Sequence, residues 1–189
     1  METLVFLFLW VLFILFFVTF VFLLVWVFTS LKNKTPFIPV SMRILPDINK
    51  VLDLKEGSVF CDLGSGDGRI VYYIANHNPK IKVFGIENNL FAIILSKINF
   101  FFLKIQNKNN ITILEKDLFT QDLSSFTHIV SYLYPNVMDD LLVKFDKELK
   151  PGTKLISINY HFTNKRPISE IDLKKNRFSM TRKLYVYEF

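Results

Sequence analysis

The chain has 189 residues, and its composition is 51% hydrophobic, with 21 phenylalanines. This length predicts one domain with a core of its own and room for an appendage. The formal charge is +6, but no run of Lys and Arg resembles a nucleic-acid patch, so we do not expect nucleic acid as a partner. Cys61 is the only cysteine, which excludes a disulfide framework and a thiolate metal site within the chain.

An apolar run fills residues 4–28, and Thr19 is its one polar interruption. A helix of about 25 residues is about 37 Å long, enough to cross the ~30 Å hydrocarbon core of a bilayer. A cleaved signal peptide is the alternative. However, the run is too long for one, its start carries Glu2 and no positive charge, and no small-x-small cleavage site follows it. We therefore predict a transmembrane anchor over residues 4–29.

Positive charge follows the predicted anchor, where Lys32, Lys34 and Arg43 lie. Because loops rich in Lys and Arg stay on the inner side of a membrane, the rest of the chain should face the cytoplasm or an organelle matrix. We predict that residues 30–41, which include two prolines, form a linker, and that residues 42–189 form the globular domain.

Short β-rich runs alternate with helical patterns along the remaining chain. The predicted strands lie at 58–62, 81–87, 111–114, 127–133, 153–160, 168–171 and 183–189. The predicted helices lie at 42–54, 68–76, 90–105 and 137–149. This alternation is typical of the α/β class, so we expect a Rossmann-like, mostly parallel sheet flanked by helices and preceded by one N-terminal transmembrane helix. In such a sheet the ligand binds beyond the carboxyl ends of the strands, so we expect the chemistry at residues 62–69, 87, 117, 131–135 and 159–161. His161 could accept a proton there, and a polar strand-end residue exposed to water is the alternative.

The stretch VFCDLGSGDGRI joins a predicted strand to a predicted helix through a glycine-rich turn. A dinucleotide fingerprint, G-x-G-x-x-G, would place its third glycine where Arg69 stands, which argues against a nicotinamide cofactor. The glycines instead alternate as Gly64, Gly66 and Gly68, after the acid Asp62. Glycine lets a ligand approach the backbone closely, and Asp62 can accept a hydrogen bond from water or from an ammonium group.

This D-x-G-x-G-x-G pattern resembles motif I of the class I, seven-strand methyltransferases, which use S-adenosylmethionine. Two further acids agree with the resemblance. Glu87 ends the second predicted strand, 25 positions after Asp62, where an acid accepts the ribose hydroxyls of the cofactor. Asp117 ends the third predicted strand, where the methyltransferase pattern has an acid facing the adenine amino group. The alternative is a plain tight turn with two surface acids.

Three other segments carry a narrower resemblance: PFIP at 36–39, YLYPNV at 132–137 and ELKPGT at 148–153. With the glycine turn, they resemble the membrane-anchored lysine methyltransferases that modify the ATP synthase c-subunit, and their bacterial and archaeal relatives. The resemblance implies a class I fold, S-adenosylmethionine as cofactor, and a lysine side chain of a protein as acceptor, with membrane proteins among the candidate substrates. The chain departs from the pattern because little follows its fifth strand to form a substrate cap.

The resemblance also assigns roles by position. It implies that residues 36–39 close over the cofactor and that the loop 132–135 lines the acceptor site. The cofactor-binding residues that it implies are Asp62, Gly64, Ser65, Gly66, Gly68, Glu87, Asn88, Asp117 and Leu118. The fourth strand ends SYLYP, not the Asn-Pro-Pro-Tyr of some glutamine and adenine N-methyltransferases, which argues against those substrates.

Tyr132 and Tyr134 are the predicted catalytic residues. An aromatic slot desolvates a lysine amine, lowers its pKa and holds its cation by cation–π contact. On strand alternation the two rings point the same way, and a packing role for one or both is the alternative. We predict no metal site, because the histidines lack acidic or cysteine partners at ligand spacing.

The sequence therefore predicts a membrane-anchored, S-adenosylmethionine-dependent methyltransferase that acts on lysine in a protein. Two alternatives stay open. One keeps the cofactor and replaces the acceptor with a small molecule or a lipid headgroup, and the other is a membrane-anchored module that binds the cofactor without turnover. The apolar helix predicted at 90–105 is expected to be a core helix, and a face resting on the bilayer is the second interpretation.

Overall fold

A computed structural model of the chain describes residues 1–32, 38–102, 110–173 and 182–189. The chain divides into two compact units, Met1–Pro36 and Phe37–Phe189. The first unit contains helix α1 (Glu2–Lys32), whose stretch Glu2–Phe28 is long and apolar enough to cross a membrane. Thr19 causes no polar defect in it, because its hydroxyl donates to the carbonyls of Leu15 at 2.9 Å and Phe16 at 2.8 Å.

The second unit is an α/β sheet structure, as the alternating pattern predicts. Its strands are β1 (Val59–Leu63), β2 (Lys82–Glu87), β3 (Ile111–Glu115), β4 (His128–Ser131), β5 (Lys154–Ile158), β6 (Ser169–Asp172) and β7 (Lys183–Glu188). Its α-helices are α2 (Leu45–Leu52), α3 (Arg69–His77), α4 (Leu90–Phe102) and α5 (Pro135–Glu148). Within the described residues the strands form one sheet in the order β3-β2-β1-β4-β5-β7-β6. The pairs among the first five strands are parallel, and β7 is antiparallel to β5 and β6.

Two buried clusters cover the two faces of this sheet. Phe60 of β1 belongs to one cluster and its neighbour Cys61 to the other. Because successive strand residues point to opposite faces, this alternation places the clusters on opposite sides. The first cluster takes its helical residues from α2 and α3, and the second takes them from α5. The sheet is therefore covered on both faces, as a parallel sheet requires.

Several predicted elements differ in extent from the structure. The fifth strand, predicted at 153–160, ends at Ile158, because Asn159 after it turns the chain with φ +66°. The helix predicted at 90–105 is described as far as Phe102, and residues 103–105 lie outside the described ranges.

Proline accounts for two other differences. The helix predicted at 42–54 is a 3-10 turn, Met42–Ile44, followed by α2, which has Pro46 in its first turn and ends before Asp53 in the left-handed conformation. The fourth strand ends at Ser131 and not at residue 133, because α5 begins at Pro135. Proline is suited to the first position of a helix, where no backbone N–H is needed. Tyr132 and Tyr134 therefore lie in a loop.

Ile48 provides a test of the core on the α2 side of the sheet. Its side chain is fully buried in the first cluster. We expect Ile48→Ala to lower the free energy of unfolding by about 2–5 kcal/mol, because the smaller side chain leaves a cavity. Val143→Ala is the control, since Val143 on α5 is 76% exposed, and it should change the value by about 0.5 kcal/mol or less. Urea unfolding of the full chain in detergent, followed by near-UV circular dichroism, measures both. Equal effects would contradict the described core.

Candidate functional site

The carboxyl ends of β1, β2 and β3 meet at the glycine turn. The backbone N–H groups of Gly64 and Ser65 donate to the carbonyl of Ile86 at 2.9 and 3.0 Å. The N–H of Lys116, just after β3, donates to the carbonyl of Glu87 at 3.1 Å. The turn after β1 is therefore seated on the end of β2, which is itself joined to the segment after β3.

Two positions of the turn require glycine. Gly64 has φ +74° and Gly68 has φ +78°, in the left-handed region that side chains disfavour. A Cβ atom at Gly64 would lie 2.9 Å from Cδ2 of Leu133, and one at Gly68 would lie 2.6 Å from Cε2 of Tyr72. At these two positions the side chains of Leu133 and Tyr72 lie against the bare backbone, where a Cβ atom would not fit. Gly66, between Gly64 and Gly68, also has a positive φ, +57°.

Glu87 at the end of β2 holds three backbone N–H groups with one carboxylate. Its Oε2 accepts from Gly66 at 2.8 Å, and its Oε1 accepts from Asn88 at 2.9 Å and from Asn89 at 2.8 Å. Asn89 in turn caps α4, because its Oδ1 accepts from the N–H of Phe91 at 2.9 Å. The carboxylate thus fixes the glycine turn to the start of α4.

The third acid, Asp117, follows β3. Asp117 is exposed, and its Oδ1 accepts from the N–H of Phe119 at 2.9 Å, which forms a turn just beyond the strand. The neighbouring Leu118 is half-buried against the second cluster, and Asn88 is exposed after β2. The three predicted acids therefore lie near the carboxyl ends of three neighbouring strands, on the same side of the sheet's strand ends.

Asp62 and Ser65 are buried polar residues beside the turn. Asp62 is 2% exposed, and burial raises the pKa of its carboxyl well above the usual range, with Glu87 and Asp67 raising it further. The hydroxyl of Ser65 is buried and makes no hydrogen bond within the described part of the chain. Buried polar groups normally have partners, so this edge of the sheet fits a polar ligand that approaches the bare backbone.

Arg69 and Asp67 form an ion pair that pattern reasoning did not find. Nε of Arg69 donates to Oδ1 of Asp67 at 2.9 Å and to Oδ2 at 3.1 Å, and Nη2 bonds Oδ2. Nη1 donates to the carbonyl of Val40 at 2.6 Å, and Asn99 on α4 donates to the carbonyl of Asp67 at 3.0 Å. The pair thus joins the turn, α4 and residue 40. Of the predicted covering segment 36–39, the first two residues lie outside the described ranges, and the last two are exposed.

The predicted tyrosines meet at a third ring. Tyr132 and Tyr134 both stack on Tyr160, which follows β5, with ring centroids 6.2 and 5.9 Å apart and planes 15° and 25° from parallel. All three rings are half-buried. Burial raises the pKa of Tyr132, as does Tyr160 beside it, so its phenol is neutral at neutral pH. The sequence indicates residues 159–161 as a strand end where chemistry is expected, but it does not predict that Tyr160 stacks on the other two rings.

Leu133 connects residues 132–134, which we call the tyrosine loop, to the glycine turn. Its side chain lies between Tyr132 and Tyr134 in sequence, is buried in the second cluster, and reaches the space where Gly64 would carry a Cβ. β4 also pairs with β1, so Ser131 lies beside Leu63 at the strand ends. The aromatic rings and the turn therefore belong to one edge of the sheet. Among the described residues, no group of three or more His, Cys, Asp and Glu could hold a metal ion.

The buried Asp62 lowers the stability of the folded protein at neutral pH. Because its folded-state pKa is raised, the carboxylate destabilises the fold at pH values above that pKa, and the penalty disappears below the ordinary Asp pKa of about 4. We expect Asp62→Asn to raise the melting temperature of the ligand-free protein at pH 7 by about 2–4 °C, with the gain vanishing in acid. Scanning calorimetry over a pH series measures this.

Asp122→Asn is the matched control, with the opposite sign. Hydrogen bonds from Ser124 lower the pKa of Asp122, so its carboxylate stabilises the fold above the ordinary Asp pKa, and stability falls as acid protonates it. Its replacement should therefore lower the melting temperature slightly at pH 7. A loss of stability in Asp62→Asn at neutral pH would contradict the electrostatic description of the site.

Comparisons with known proteins identify the family. The family model described as the ANTKMT methyltransferase domain matches residues 62–169. A protein-lysine N-methyltransferase of Saccharolobus islandicus (strain REY15A) is 28% identical over 161 residues, covering 83% of this chain and 96% of that protein. The ATP synthase c-subunit lysine N-methyltransferase of Homo sapiens is 27% identical over 136 residues, covering 72% of this chain and 56% of that protein.

A solved structure agrees with these matches. The RNA methyltransferase from Salinibacter ruber, in complex with S-adenosyl-L-homocysteine, superposes with a TM-score of 0.71 and 26% identity, over 80% of this chain and 93% of that one. The matched family segment begins at Asp62, contains the glycine turn and the loop after β4, and spans more than half of the chain. The resemblance drawn from the sequence is thus confirmed, and the chain belongs to the ANTKMT methyltransferase domain family.

Proposed function

We propose that the chain binds S-adenosylmethionine at the glycine turn and transfers its methyl group to a lysine side chain of a protein. Methyl transfer is the reaction of the family to which the chain belongs. The archaeal and human relatives are lysine N-methyltransferases, which supports lysine as the acceptor. The observation that carries the proposal is the contact of Leu133 with Gly64, because it brings the tyrosine loop against the turn that would hold the methyl donor.

In this proposal different residues bind the methionine, ribose and adenine parts of the cofactor. The backbone of Gly64, Ser65, Gly66 and Gly68 lies beside the methionine part, and Asp62 attracts its ammonium group directly or through water. Glu87 accepts from the ribose hydroxyls, while Asn88, Asp117 and Leu118 border the adenine. A carboxylate has about four acceptor sites, and backbone N–H groups occupy three of those on Glu87. One ribose hydroxyl would thus donate to the remaining acceptor site of Glu87, and the other would share a site with a backbone N–H group.

When bound, S-adenosylmethionine supplies an electrophilic methyl group on a positively charged sulfur. Holding the acceptor nitrogen in line with that group contributes up to about 7–11 kcal/mol to the lowering of the barrier. A free lysine has a pKa of about 10.4, so only about one in 2500 side chains is neutral at pH 7. Tyr132 and Tyr134 remove water from the amine and favour its neutral form. Their ring faces and phenol oxygens also hold the amine while its proton passes to water.

Radiolabelled cofactor tests this proposal. The full chain in detergent is incubated with methyl-labelled S-adenosylmethionine in three parallel reactions. One contains membrane protein extract, one phospholipid vesicles and one total RNA. We expect the label in protein, and as N-methyl-lysine after acid hydrolysis. Label in lipid or RNA alone would overturn the lysine assignment, and the absence of label from every acceptor would leave a binding module without turnover.

Glu87→Ala tests the cofactor assignment within the same assay. Loss of a charge-assisted hydrogen bond costs about 1.5–3 kcal/mol, so we expect the affinity for the cofactor to fall by about 10- to 100-fold and labelling to fall with it. Glu115→Ala is the matched control, because Glu115 ends β3, is exposed and pairs with Lys97. Calorimetric titration gives both affinities. Equal affinities in the two variants would contradict the role of Glu87.

We further propose that α1 anchors the chain in a membrane, with residues 30–41 as a linker that also covers the cofactor and residues 42–189 as the methyltransferase domain. The positive residues after α1 support a cytoplasmic or matrix location for that domain. A tether raises the effective concentration of the enzyme near membrane protein substrates.

Membrane extraction tests the anchor. We expect the expressed chain to stay with membranes after an alkaline carbonate wash and to retain residues 2–28 by mass spectrometry, because an apolar helix of this length inserts stably. A soluble chain that has lost those residues would instead indicate a cleaved signal sequence.

A further inference from the structure

The loop after β5 begins with a residue in an unusual conformation. Asn159 has φ +66°, in the left-handed region that residues other than glycine seldom occupy. Its backbone N–H donates to the carbonyl of Lys183 at 2.9 Å, and its side-chain Oδ1 accepts from the N–H of Arg182 at 2.7 Å. The strand end is therefore turned sharply and fastened to the start of β7. Asparagine tolerates this conformation better than most residues do.

Three further contacts fix the loop that follows. The hydroxyl of Ser157 donates to the carbonyl of Tyr160. The N–H of Phe162 donates to the hydroxyl of Tyr187 at 3.1 Å, and that of Thr163 donates to Oδ1 of Asp139 on α5 at 2.8 Å. Hydrogen bonds to β5, β7 and α5 thus fix the backbone on both sides of Tyr160 and so fix the position of its ring.

Tyr160 is the ring common to both stacking pairs of the tyrosine loop. Tyr132 contacts the first core cluster, whereas Tyr134 and Tyr160 belong to neither cluster. Tyr134 and Tyr160 are half-buried, so part of each residue stays accessible to a ligand. Since Tyr132 and Tyr134 each stack on Tyr160, its loss would remove the support of both.

Asn159 also reaches the same group of rings. Its Nδ2 lies 3.4 Å from the hydroxyl oxygen of Tyr132 and donates to it. One side chain therefore bonds the start of β7 through its oxygen and the tyrosine through its nitrogen. The donation occupies one lone pair of the phenol oxygen and leaves the other able to accept from an amine.

We infer that Tyr160 is a further residue of the acceptor site, contacting the lysine amine with its ring, and that Asn159 is a positioning residue that sets both Tyr160 and Tyr132. This inference rests on the proposed function, because it takes a lysine amine as the acceptor. The three rings provide apolar faces for the methylene chain and negative π faces for the ammonium before it loses its proton. The site is thereby selective for a cationic amine over a neutral hydroxyl.

Substitution of Tyr160 tests the ring. We expect Tyr160→Leu to raise the apparent KM for membrane protein extract by about 2- to 30-fold, the range of a cation–π contact, while the affinity for S-adenosylmethionine stays unchanged. Tyr160→Phe keeps the ring and should restore the wild-type KM. Tyr73→Leu is the control, because Tyr73 on α3 stacks on His77 and lies outside the site. An unchanged KM in Tyr160→Leu would overturn the inference.

Asn159→Asp tests the positioning role with little change in shape. The carboxylate still accepts from Arg182 but no longer donates to Tyr132, and its negative charge favours the ammonium form of the acceptor. We expect an unchanged melting temperature and cofactor affinity, a lower kcat without a higher KM, and a pH–rate profile shifted to higher pH. A lower kcat with an unshifted profile would mean that Asn159 is only structural, and this part of the inference would fall.

Different results would contradict the inference about Tyr160 and Asn159 and the proposed methylation of lysine. If the wild-type chain labels lysine and both Tyr160→Leu and Asn159→Asp behave as wild type, only the inference about these residues is wrong. If the wild-type chain binds cofactor but labels lipid or RNA and no lysine, the proposed function is wrong, and the inference about Tyr160 and Asn159 is wrong with it.

Discussion

The site depends on one carboxylate that collects three backbone N–H groups. Glu87 bonds Gly66 in the turn after β1 and Asn88 and Asn89 before α4. Without it, the turn would keep its bonds to Ile86 but would lose the bond that holds Gly66, and glycine backbone has many alternative conformations. Because its carbonyl also accepts from Lys116 after β3, the residue joins the ends of three strands. A residue expected to bind a ligand thus also builds the turn that the ligand would meet.

This construction brings acids together before any ligand is bound. Asp62 is buried with Asp67 and Glu87 near enough to raise the pKa of its carboxyl, and Arg69 neutralises only Asp67 directly. Such an arrangement costs stability in the free protein and favours a ligand with a positive charge, since the ligand would relieve the repulsion. The ammonium and sulfonium groups of S-adenosylmethionine suit this requirement. We therefore regard the raised pKa of Asp62 and the proposed binding of a cationic ligand as two consequences of the same grouping of acids.

Features set by local pattern could be predicted from the sequence, and features set by distant partners could not. Alternating strands and helices indicated the sheet, and glycine spacing with the acid after each strand indicated the turn. The stacking of Tyr160 on Tyr132 could not be predicted, because it depends on β5 lying beside β4 and on the turn at Asn159. Extending the fourth strand was wrong, because Pro135 begins a helix and the tyrosines leave the sheet before it. The Asp67–Arg69 pair lay within the quoted motif, but its bond to Val40 is long-range.

A crystal structure of the chain with S-adenosylhomocysteine tests the central claim most directly. We expect the ribose hydroxyls within about 2.5–3.0 Å of the Glu87 carboxylate, the distance of a charge-assisted hydrogen bond, with the adenine beside Asp117 and the sulfur facing the tyrosine loop. A ligand bound away from this edge of the sheet, or a Glu87 that keeps its three backbone bonds and contacts no part of the ligand, would contradict it.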